Sequence, residues 1–273
     1  MERHAGEIET LVMGHSQAAE GINPAFWGDH AFNLAITSRR IHYDYVLLKQ
    51  YIGRMKNLKR VIYPYTYNYL YISYEYPLRN LNARKNTHAE NYMQCDYEIY
   101  MHTGLFTFPA YHIEILYDMT ARDKWKKHYL KREDTQLVDS LGFDGKLKED
   151  RVFDWLQFPL AHEYDENDPD YDKAYRQNRK YLYQMAELCR EHQVELVLVA
   201  TPTLPPYYNS RRPDKLKQFY DEAENLIAQY PNVSFKDYVT DGRFENEDFY
   251  DCSHLCKEGA DKFTRILKQD LKI

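Results

Sequence analysis

Four cysteines among 273 residues are too few and too scattered for the disulfide framework of a small secreted domain, and a chain of this length buries enough core to need no staples. No stretch approaches the roughly eighteen apolar residues that a membrane span requires. The N-terminus lacks a basic region followed by an apolar run, so no signal peptide is read; a cytoplasmic location is the default expectation, with an export segment ahead of this sequence as the alternative. Positive charge is not in excess either. The net charge is -6, and the basic residues are scattered apart from short clusters such as Lys124, Lys126 and Lys127, which argues against a nucleic-acid binder. No glycine-rich phosphate loop follows the first apolar run, which counts against a nucleotide- or flavin-binding protein. His88, His102, His112 and His162 lack metal-ligand spacing, and Cys252 and Cys256 flank His254 without a second ligand pair. Neither a metal nor a cofactor is expected, and there are no internal repeats or low-complexity linkers.

Tyrosine is the residue in excess, at 27 copies. Its flat apolar face and polar tip suit half-buried strand and helix positions, and equally the surface of a sugar or another amphipathic ligand.

Along the chain, short apolar runs alternate with helical periodicity. Leu11-Val12-Met13 ends in Gly14, the pattern of a buried strand entering a turn. Ala31 to Ile36 reads as a second strand, and Ile41, Tyr45, Leu48, Ile52 and Met55 follow at helical spacing, predicting a helix to about Asn57. Val61 to Tyr65 is a third strand, with Pro64 marking its end because proline cannot donate to a ladder. Residues from about 70 to 170 break the alternation and are read as a long insertion. A helix from about Tyr171 to His192 then leads into Val194 to Ala200, the clearest strand in the sequence. A helix over Pro213 to Gln229, a strand at Val233 to Phe235 and a final helix over Lys257 to Leu271 complete the pattern. The expectation is a single α/β domain over 1–273 with that insertion: a three-layer α/β/α, flavodoxin-like sandwich around a mostly parallel five-stranded sheet. In such sheets ligands bind beyond the carboxyl ends of the strands.

Two segments carry candidate chemistry. Gly14-His15-Ser16 follows the first strand at a tight turn opening into a helix, where a serine hydroxyl would sit near backbone N–H groups able to hold an oxyanion. Alone, such a turn is common. Asp251 stands three residues before His254 on the loop ahead of the last helix, a spacing that lets a carboxylate orient an imidazole. Asp251 or Ser253 could equally serve as a helix cap. His15 is open to two readings, a second base or a ring packed beside the turn.

The combination of Ser16 after strand one and Asp251-x-x-His254 before the last helix resembles the SGNH (GDSL-type) hydrolase superfamily. Asn33-Leu34-Ala35-Ile36-Thr37-Ser38-Arg39 stands where that family has Asn-x-x-x-Ser-Gly-Asp. Thr66-Tyr67-Asn68-Tyr69 stands where it has Gly-x-Asn-Asp. The resemblance implies Ser16 as nucleophile, His254 as base and Asp251 as its orienting acid. It also implies an oxyanion hole made of the backbone N–H groups of Ser16 and Ser38 and the side chain of Asn68. The family's Gly-Asp-Ser is Gly-His-Ser here, and Ser38 and Thr66 replace glycines, so the oxyanion hole departs from the pattern. Gly14 to Pro24, with its Gly21-Ile22-Asn23-Pro24, is similar to members found beside bacterial cell-surface polysaccharide or teichoic acid pathways. The implied function is a serine esterase or acyltransferase on a small acyl ester, an O-acetylated carbohydrate among the candidates, with no metal, no cofactor and no nucleic-acid partner. The alternative is a non-catalytic binding protein that keeps the fold over a degenerate oxyanion hole.

Overall fold

The computed structural model describes residues 5–28, 30–37, 39–71, 138–147 and 170–273. The chain parts into two units, 1–73 with 138–273 and 74–137, and the described residues lie in the first. It is built on five strands, β1 (Thr10–Val12), β2 (Ala31–Asn33), β3 (Arg60–Pro64), β4 (Glu195–Ala200) and β5 (Val233–Asp237). They form one sheet in the order β2-β1-β3-β4-β5, every pair parallel. That is the doubly wound flavodoxin-like order, with helices on both faces. Leu11 pairs in register with Phe32 on one side and Val61 on the other, and Val61 pairs with Leu196.

Because both faces are covered, the central strands are apolar at nearly every position rather than alternately. β4 is buried throughout after its first residue. Val12, Ile62, Val197 and Val199 join one core cluster with α1 (Ser16–Ala19) and α7 (Lys257–Leu271), through Ala18, Ala19, Ala260, Phe263 and Leu267. The alternate residues Tyr63 and Tyr65 reach the other layer. Tyr63 donates to Asp44 of α2 (Ile41–Tyr51), and Tyr65 donates to the Phe219 carbonyl of α6 (Pro213–Gln229). The remaining helices are α3 (Tyr67–Tyr71), α4 (Asp170–Glu191) and α5 (Pro205–Asn209). α4 buries Tyr171, Ala174, Asn178, Leu182, Met185 and Cys189 at three- and four-residue steps. Its Asn178 amide donates to the Tyr69 and Leu70 carbonyls at the end of α3.

Helix α6 has the bounds its periodicity predicts, opening with Pro213 where a missing N–H costs nothing. The second helix is shorter than expected, ending at Tyr51 and tightening into a 3-10 turn, Ile52–Arg54. β2 likewise stops at Asn33, the in-register partner of Val12, where β1 itself ends before its turn at Gly14. Of the insertion expected at about 70–170, residues 72–137 and 148–169 lie outside the described residues; 138–147 pack in the first unit, where Leu141 accepts from Asn33 N–H. Among the described residues no helix is long and apolar enough to cross a membrane.

Candidate active site

The site begins with a turn that few residues could make. After β1 the chain passes through Gly14 at φ +112, a left-handed backbone that side chains rarely adopt, and a Cβ there would lie 2.4 Å from Cγ of Pro64. His15 is extended and Ser16 opens α1, so the N–H groups of Ser16 and Gln17 have no acceptor within the helix. The turn is held from below by Asp44, fully buried on α2. Its carboxylate accepts from Arg39 Nε at 2.6 Å, from the Tyr63 hydroxyl at 3.0 Å and from the Gly14 backbone. Burial raises the Asp44 carboxyl, and these donors oppose the rise. Asn33 fastens the other side, donating to the Ala18 and Ile22 carbonyls at 2.9 Å each.

The loop before α7 arrives at the same place. It closes on itself through the Phe249–Leu255 bridge and through Tyr250 N–H to the His254 carbonyl. Two clamps join it to the front of the chain. Gln17 Nε2 donates to the Ser253 carbonyl at 2.8 Å, and Asn23 binds Thr264 and Asp261 on α7.

These elements set Ser16 Oγ 2.8 Å from His254 Nε2, while His254 Nδ1 faces Asp251 Oδ2 at 2.8 Å and Oδ1 at 3.0 Å. Asp251 Oδ1 also accepts from the N–H groups of Ser253 and His254, each at 2.8 Å. Burial alone would raise the Asp251 carboxyl; the charge and hydrogen bond of His254, helped by those N–H groups, hold it below the usual carboxylate range. Burial alone would lower the His254 imidazole. Asp251 and, more weakly, Glu20 outweigh burial and the opposing charge of Lys146, and raise it to about 9. Glu20 is itself buried at the end of α1, near Lys146 at 3.5 Å and Thr37, and burial raises its carboxyl. The arrangement can pass a proton from a hydroxyl to an imidazole whose tautomer the carboxylate dictates.

His15 does not share in this. It is fully buried, its ring lies 3.4 Å from that of Tyr69, and Nε2 meets Thr66 Oγ1 at 3.1 Å. Burial, with the charges of His254, Arg40 and Arg39, drives its pKa well below the usual imidazole value. It is a packed neutral ring.

One protein-family model, that of an uncharacterised family, matches residues 171–272. No curated protein matches the chain. The matched stretch carries Asp251 and His254 but not Ser16.

Of the residues expected at the oxyanion hole, Ser38 lies outside the described residues. Asn68 is half-buried on α3, and its Oδ1 accepts from Arg211 Nη1 at 2.7 Å, which makes Nδ2 the end of the amide left to donate. Beside the site, at the carboxyl ends of β3, β4 and β5, lies a pocket walled by Tyr65, Tyr67, Tyr207 and Tyr220, with Gln17 and Thr201 at its surface. Thr201 Oγ1 is buried there without a hydrogen-bond partner. Asp44, Asn33, Gln17 and Glu20 are site-building residues that periodicity alone does not single out as functional. Asp44 had a signal, a charge on the apolar stripe between Ile41 and Leu48. Among the described residues no group of three or more His, Cys, Asp or Glu side chains could hold a metal ion, and Cys189, Cys252 and Cys256 are buried and unbridged.

Proposed function

We propose that this protein is a serine esterase or acyltransferase acting on a small acyl ester, with O-acetylated carbohydrate as the substrate class. The observation that carries the reading is the continuous chain from Ser16 Oγ through His254 to Asp251, every link between 2.8 and 3.0 Å. Ser16 attacks the ester carbonyl as its proton passes to His254 Nε2, and Asp251 holds the imidazolium that forms. The carbonyl oxygen becomes an oxyanion that the Ser16 N–H and the Asn68 amide are suited to receive. His254 then returns its proton to the departing alkoxide, leaving the acyl group on Ser16. Water or a sugar hydroxyl, deprotonated by the same imidazole, resolves the acyl-enzyme. The tyrosine-walled pocket suits a sugar, whose apolar faces stack on aromatic rings while its hydroxyls meet groups such as Thr201 Oγ1.

The test is labelling with a fluorophosphonate, which traps an activated serine. Wild type is expected to take the label, and Ser16→Ala and His254→Ala to refuse it while keeping the wild-type far-UV spectrum. A folded wild type that stays unlabelled would leave a non-catalytic binding protein as the reading.

A further inference from the structure

We infer that Arg39 and Arg40, at the N-terminus of α2, form a receptor for an oxyanion, a carboxylate or phosphate group carried by the substrate of Ser16. The inference rests on the esterase reading for its substrate, not for its site.

Two successive arginines are buried here, at 5% and 7% exposure, and the carboxylate of Asp44 pairs with Arg39 alone. Asp44 is wholly committed to Arg39, Tyr63 and Gly14. Arg40 makes no ion pair among the described residues. Its Nε is sealed from solvent without a hydrogen-bond partner, and so is Nη1 of Arg39. An uncompensated buried guanidinium is costly, and bidentate pairing with a planar oxyanion is the chemistry that relieves it. The backbone adds to the attraction. Arg40 is the N-cap of an eleven-residue helix and offers no side-chain cap, so the first N–H groups of α2 and the positive end of its dipole meet at the same point.

The position ties this receptor to the nucleophile. α2 follows β2 at the carboxyl edge of the sheet, where ligands of doubly wound folds bind. Asp44 holds both Arg39 and the Gly14 backbone, so receptor and nucleophile turn share one anchor. The Tyr69 ring stacks on His15 and lies 5.5 Å from the Arg40 guanidinium carbon, linking the two again. A substrate whose ester lies at Ser16 can therefore place an anionic substituent on Arg40.

The experiment uses the Ser16→Ala protein, full length, so that binding is read without turnover. Calorimetry with inorganic phosphate, and separately with acetate, is expected to show one saturable site, the stronger anion identifying the group preferred. Arg40→Gln should weaken binding about 10- to 100-fold, the span of a lost charge-assisted pair. It should also raise Tm in the absence of anion, because an unpaired charge has been removed, whereas a purely structural arginine would lower Tm when replaced. Arg40→Lys, which keeps the charge without the planar fork, should weaken phosphate binding by an intermediate factor. In wild type, phosphate should compete with mono-p-nitrophenyl succinate, an ester that carries a carboxylate, and not with uncharged p-nitrophenyl acetate. No saturable binding, binding unchanged by Arg40→Gln (an adventitious ion only), or a lower Tm in that variant would overturn the receptor. A wild type that binds phosphate through Arg40 yet neither hydrolyses the ester nor takes fluorophosphonate would sink the esterase reading and leave the receptor standing.

Discussion

His254 is held at about 9 by Asp251 and Glu20, and this sets a pH dependence opposite in sign for activity and for stability. A general base must be neutral to accept the Ser16 proton. With the folded pKa two units above pH 7, about one molecule in a hundred carries a neutral imidazole there, so kcat/KM should climb about tenfold per pH unit and level off above about pH 9. Stability runs the other way. A histidine whose folded pKa lies above its unfolded value of about 6.5 lends full stabilisation below that value and loses it as pH rises through 9, a loss on the order of 3 kcal/mol. The charged groups that act on this imidazole give a paired control. Glu20→Gln removes a negative charge and should move the activity midpoint down; Lys146→Met removes an opposing positive charge and should move it up. His15, neutral and buried, should add no second limb. The assay is p-nitrophenyl acetate hydrolysis from pH 6 to 10, corrected for spontaneous cleavage, beside an NMR titration of the His254 ring that needs no activity. A flat profile, a midpoint near 6.5, or both substitutions shifting it in one direction would rule out a raised His254 as the titrating base.

Other consequences follow from the turn at Gly14. Gly14→Ala must place a methyl against Pro64 in a backbone that alanine avoids, and should cost about 3 kcal/mol in urea denaturation, with fluorophosphonate labelling falling in parallel. Unchanged stability would mean that the turn relaxes freely. Asp44→Asn keeps the shape but leaves Arg39 without its counter-charge, which should cost about 3–5 kcal/mol, read as a lower urea midpoint. A loss under about 1 kcal/mol would show that the pair contributes little to the fold.

How far the sequence could be read depends on which interactions are local. The helix over Pro213–Gln229 and the one over Lys257–Leu271 were legible to the residue, since their periodicity and flanking turns lie within the segments themselves. The strand read as Val194 to Ala200 forms over Glu195–Ala200, one residue shorter, because burial on both faces leaves an apolar run from Leu196 onward. Strand ends were less legible. The apolar run after Ala31 goes on past Asn33, and the ladder stops where its partner does, since β1 ends at Val12 and turns through Gly14. His15 stood open between base and packing, and burial against Tyr69 decided for packing.

Periodicity and turn chemistry act over a few residues, so they reveal the main strands, the long helices, a mostly parallel sheet and a short set of candidate residues at two ends of the chain, but not the short helices α3 and α5. Folding in three dimensions is what brings Ser16 and His254, 238 positions apart, to 2.8 Å, sets Asp44 beneath the turn and leaves Arg40 buried without an ion pair among the described residues. Hydrogen bonds and desolvation depend on distance and enclosure in space. No spacing along the chain records either until the sheet brings its carboxyl ends together.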